Sequence, residues 1–140
     1  MFANYDTSSF PIVKVIIEGL PEGNEFENFL TQWLSLYDRM ENFSFIFDVR
    51  NLGLISPKYC IKMSLFIYQL KKREIQYLQK SIILINDTRV KRLLDFIFIL
   101  QKPVADVFII NTEETIDYYK DNIQSITSDN LNENITYISP

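Results

Sequence analysis

The sequence predicts an α/β domain, a single mostly parallel sheet of four to five strands with helices packed on it. Three observations carry that expectation. Runs of β-branched and aromatic residues at 10–17, 43–49, 81–86 and 105–110 alternate with stretches whose apolar residues recur at three- and four-residue spacing. The run at 43–49 is apolar almost throughout, the pattern of a strand covered on both faces. Alternation sustained over four repeats implies neighbouring strands joined by helical crossovers.

Residues 1–10 read as an N-terminal arm or edge strand, 11–126 as the α/β domain, and 127–140 as a polar C-terminal tail in which 135–138 could add a short edge strand. Pro11 opens the first strand, where its missing N–H costs little. Glu18 to Gly23 is turn chemistry. Asn24 can cap the first helix, with Phe26, Phe29, Leu30, Trp33, Tyr37 and Met40 on one face. Trp33 is expected in the core.

The second strand ends at Asp48 and Val49, and a loop with Gly53 follows. Ser56 before Pro57 marks a helix start, an N-cap hydroxyl followed by a residue whose absent N–H does not matter there. That helix is expected to run from Pro57 to about Gln79, with Cys60, Met63, Ile67 and Leu70 as its inner stripe. Its first half is apolar nearly all round, so it is either buried on two sides or covered by a partner. Asp87 or Thr88 caps a third helix, with Val90, Leu93, Leu94 and Ile97 inward. Thr112 caps a fourth, with Ile116, Tyr119, Ile123 and Ile126 inward.

Composition excludes several activities. At 140 residues the chain suits one domain, and 47% hydrophobic with 14% aromatic residues is ample for a packed core. A net charge of −4 argues against a general nucleic-acid binder. With no histidine, serine–histidine and cysteine–histidine catalysis and histidine-dependent zinc sites fall away. Only three glycines are present, too few for a dinucleotide or Walker phosphate loop, so no cofactor or metal is expected. The single Cys60 permits no internal disulfide and fits a reducing, cytoplasmic setting. The N-terminus lacks signal-peptide character, and the most apolar window, 93–110, is too polar for stable membrane insertion.

Four groups of residues stand out. Asp48 and Gly53 are candidates to organise the corner after the central strand, the aspartate by accepting from loop amides; the alternative for Asp48 is a buried functional acid. Cys60 lies one turn into a helix, where a thiol is either activated by the helix dipole or buried and inert. Lys71, Lys72, Arg73 and Lys80 form one basic group. Arg89, Lys91 and Arg92 form another, read either as solvated helix ends or as an anion site.

Four segments resemble the STAS domain, the fold of bacterial anti-sigma-factor antagonists and of the cytoplasmic ends of sulfate transporters. Ile16-Ile-Glu-Gly19-Leu-Pro is similar to the family's first strand and glycine turn. Phe45-Ile-Phe-Asp48-Val-Arg-Asn-Leu-Gly-Leu-Ile55 is similar to its central strand and loop. Ile82 to Asn86 with Val90 to Leu94 resembles the next strand and helix, and Val107 to Ile116 the last pair. The family's loop continues as aspartate, serine, serine, glycine, and a serine there accepts a phosphate. Here those aspartate, phosphoacceptor and glycine positions hold Ser56, Pro57 and Tyr59. Proline has no hydroxyl, so the resemblance implies a module without the standard serine phosphoswitch.

The resemblance also implies that the corner and the following helix hold protein partners. The expected function is a non-enzymatic regulatory or scaffolding interaction module. Its binding residues are Ser56, Pro57, Lys58, Tyr59, Leu65, Phe66 and Tyr68, facing an unidentified protein or a second copy in a homodimer. The alternative is a domain binding a small ligand, a lipid or a nucleotide, with Arg89, Lys91 and Arg92 meeting a phosphate. A flavodoxin-like enzyme ranks third, for want of a histidine and a phosphate loop.

Overall fold

A computed structural model describes residues 1–140. Six strands form one sheet: β1 (Ala3–Asp6), β2 (Ile12–Gly19), β3 (Phe43–Leu52), β4 (Leu78–Ile85), β5 (Asp106–Asn111) and β6 (Ile135–Ile138). Their spatial order is their chain order. The pairings from β2 to β5 are parallel; β1 on β2 and β6 on β5 are antiparallel. The sheet is therefore mixed and six-stranded, not mostly parallel with four or five strands. The difference lies at the edges. Each edge strand is only four residues long and partly polar, and each pairs antiparallel with its neighbour.

Four helices complete the fold: α1 (Glu25–Leu36), α2 (Pro57–Lys71), α3 (Thr88–Leu100) and α4 (Ile116–Asn122). The first three connect successive parallel strands in one direction, and right-handed crossovers then put them on one face. Phe45, Phe47, Ile83 and Ile109 accordingly join one core cluster with Phe29, Trp33 and Leu70. The residues between them, Ile46, Leu84, Phe108 and Ile110, form a second cluster with Tyr119, Ile123 and Ile126 of the α4 region.

Several boundaries differ from expectation. β3 runs three residues beyond Val49, so Asp48 lies within the strand. α2 stops at Lys71, not near Gln79, because Leu78 already pairs with Phe43. A 3-10 turn at Tyr37–Arg39 follows α1 and leaves Met40 left-handed (φ 53°) and exposed, off the buried face. Asn24 makes no side-chain cap bond. Thr115, not Thr112, caps α4 by accepting from the Tyr118 N–H.

Candidate functional site

The corner between β3 and α2 is held from the α4 face of the sheet. Asp48 and Arg50 lie two residues apart on β3, so both point to that face. Arg50 Nε donates to Asp48 Oδ1 at 2.9 Å and Nη2 to Oδ2 at 3.0 Å, a bidentate pair. The Arg50 backbone N–H also donates to Asp48 Oδ1, at 3.1 Å. Nη1 reaches the Glu114 carbonyl oxygen at 2.6 Å, tying β3 to the loop before α4. Burial opposes ionisation of Asp48, but the Arg50 bonds outweigh it and hold the carboxyl below its ordinary range. Asp48 is engaged with a neighbouring residue of its own strand, and its partner carries the link to the loop.

Gly53 meets the preceding corner. Its N–H donates to the Gly19 carbonyl oxygen at 2.9 Å, and a Cβ built there would stand 2.9 Å from Leu20 Cδ2 and 3.2 Å from Gly19 O. The glycine thus permits close approach of two loops. Ser56 has an extended backbone and accepts from the Lys58 N–H at 3.4 Å, capping α2 with Pro57 inside the first turn. Ser56, Pro57 and Lys58 are all exposed.

α2 packs on three sides. Cys60, Ser64 and Ile67 meet α3, where the Ser64 hydroxyl donates to Cys60 O at 2.8 Å and reaches Ile97 O at 3.4 Å. Tyr59 and Phe66 turn inward toward α1, with ring centroids 5.0 Å from Phe26 and 5.2 Å from Trp33. Met63 and Leu70 face the sheet-side core. Of the seven residues assigned to partner binding, Leu65 (59% exposed) and Tyr68 are the large apolar side chains left outside. Ile61 joins them; its i, i+4, i+7 spacing with Leu65 and Tyr68 was readable in the sequence.

The same applies to α3, which the sequence reading left out of the binding surface. Phe96, Ile99 (81% exposed) and Leu100 are exposed. With Cys60–Ser64–Ile67 and Leu93–Ile97 fixing where the helices touch, helical spacing puts Ile61 and Tyr68 on one side of the seam and Phe96 and Leu100 on the other. The two helices share one outward apolar face. The charges on its α2 half are all basic. Lys58, Lys62, Lys71, Lys72 and Arg73 fall in residues 57–73, which hold no acidic side chain. Lys62 is paired with Glu27 at 3.0 Å across to α1.

The first basic group is split and the second is largely paired. Lys80 Nζ donates to Ile123 O at 3.0 Å and Ile126 O at 2.5 Å on the α4 side, away from Lys71 to Arg73. Arg89 is paired with Asp87 at 2.9 Å and Lys91 with Asp95 at 2.8 Å, so of the three proposed anion ligands Arg92 alone has no carboxylate partner. The strand order also contains no reversal, so the switch-point crevice where open α/β sheets take nucleotides is missing. No three His, Cys, Asp or Glu side chains group so as to hold a metal ion. Cys60 is buried, and desolvation raises its thiol pKa. No helix is long and apolar enough to cross a membrane.

Beneath α2 lies a cavity of about 120 Å³ bounded by the sheet, α1 and α3. Hydrophobic residues supply 21 of its 23 lining positions, and none is charged. Trp33 forms part of the wall, and its indole N–H is buried without a partner. No family model, no curated protein and no solved structure matches this chain.

Proposed function

We propose that the protein is a non-enzymatic interaction module of STAS-like type whose binding face is the outer surface of α2 and α3. The observation that carries this is the shared apolar face, six large exposed side chains on two touching helices. Contiguous exposed apolar surface on a folded domain usually marks an interface. The resemblance adds that the helix after the central loop is where the family holds proteins, and Pro57 removes the hydroxyl by which such binding is switched. The alternating strands and helices and the Phe45 to Ile55 strand and loop support the family reading.

Charge selects the occupant. Lys72 borders the face from α2, its Nζ 4.5 Å from the centre of the Tyr68 ring, with Lys71 next to it in the chain, and the exposed Arg92 adds a charge from α3. An isologous homodimer across it would set like charges against each other. An acidic, amphipathic segment of another protein satisfies both the apolar centre and the basic rim. The nucleotide form of the ligand reading has less behind it, because two of its three cations are already paired.

Photo-crosslinking in cells tests the reading. A crosslinker at Leu65 or Ile99 should yield protein adducts that one at Asp121 does not. The Leu65→Asp/Ile99→Asp variant should stay folded and lose them. Retention of every native partner by that folded variant would defeat the proposal, as would binding to anionic vesicles in place of protein adducts.

A further inference from the structure

We propose that the cavity under α2 is a binding site for an uncharged hydrocarbon group, a small ring or the end of an acyl chain. This goes beyond the outer face and does not depend on it. The space arises from specific residues. Ser81 lies on β4 between Phe45 of β3 and Val107 of β5, on the face that α1 to α3 cover. A small side chain stands there among large ones. Ala105, ahead of β5, is a second small residue in the wall.

The lining sets the chemistry. With no charged residue inside, an ionised ligand group would lose its hydration without compensation, so any such group stays at the mouth. Ser81 and Tyr59 hold the only hydroxyls of the wall. Water needs two to four polar partners, and an apolar cavity of comparable size, about 150 Å³, stays dry and accepts benzene or xenon. A volume of about 120 Å³ therefore suits a ring or short branch of similar size. Ser81, only 4% exposed, offers one hydrogen-bonding group to orient an oxygen on that ligand.

The test is a methyl-detected NMR titration of the full chain with benzene, then with dodecanoate. The methyls of Ile83 and Ile97, both in the wall, should shift saturably with benzene. Displacement of benzene by dodecanoate would assign the site to acyl chain ends; saturation without displacement would assign it to small hydrocarbons. Ser81→Leu and, separately, Ala105→Leu fill the space from neighbouring positions on β4 and just before β5. Each should weaken benzene binding at least about tenfold, while leaving Leu65 and Ile99 in place. Two results overturn the proposal: no saturable shift with either probe in the wild-type chain, or unchanged benzene affinity in both folded variants.

Discussion

Replacing Arg50 with methionine keeps the aliphatic stem and removes the guanidinium that holds Asp48. Both side chains are 14% exposed. Breaking a fully buried ion pair from one side costs about 3–5 kcal/mol because the other charge is left unpaired. Here some solvent reaches the pair and the Arg50 backbone N–H still serves Asp48, so the expected loss is about 2–3 kcal/mol. Asp48→Asn with Arg50→Met should recover part of it, giving a coupling of about 1.5 kcal/mol in a double-mutant cycle. Urea denaturation at several pH values measures this. The folded pKa of Asp48 is depressed, so its contribution is complete above the unfolded carboxyl value of about 3.9 and is lost as pH falls through the folded one. Wild type and Arg50→Met should converge in acid. A coupling below about 0.5 kcal/mol at neutral pH, or a gap that widens on acidification, refutes the reasoning.

Phe66→Ala should destabilise the fold by about 3 kcal/mol, whereas Leu65→Ala should stay within about 0.5 kcal/mol, because the first packs on Trp33 and the second faces solvent; thermal melts of the pair decide it. Ser56→Ala should cost about 0.5–1 kcal/mol, the low end for an N-cap since its bond is 3.4 Å long. Cys60 should resist a thiol reagent in the native protein and react only under denaturant, which a colorimetric thiol assay reads directly.

The central strands were legible because their apolar runs are long and uninterrupted on the core side. The Ser56–Pro57 start of α2 and its Cys60–Ile67–Leu70 stripe were legible because capping and periodicity are local signals. β3 beyond Asp48 was not. Asp48 and Arg50 look like loop residues, and only the loop before α4 shows why polar side chains extend that strand. The end of α2 was hidden for a similar reason: 72–79 has adequate helix formers, and pairing of Leu78 with Phe43 overrides them. Periodicity showed that α2 was apolar on too many sides but could not say which sides α1 and α3 would cover. Phe66 and Leu65 are adjacent in sequence and end up in opposite environments. The cavity was invisible, since a serine within a buried strand gives no sign of the space around it.

Charge around the outer face makes self-association testable without knowing the partner. Two copies meeting through α2 and α3 about a two-fold axis would set two α2 helices against each other, each carrying lysines and no acidic side chain. Repulsion between them weakens with salt, as the screening length falls from about 30 Å at 0.01 M to about 10 Å at 0.1 M ionic strength. Apolar contact does not weaken in the same way. If the face is shaped for an acidic partner, light scattering should show a monomer at low salt, with self-association appearing only as salt rises. For an acidic amphipathic peptide the dependence has the opposite sign, because the charges that repel a second copy attract it. A dimer already stable at low salt, and abolished by Leu65→Asp, would show that the face pairs with itself and that its basic rim does not choose the partner.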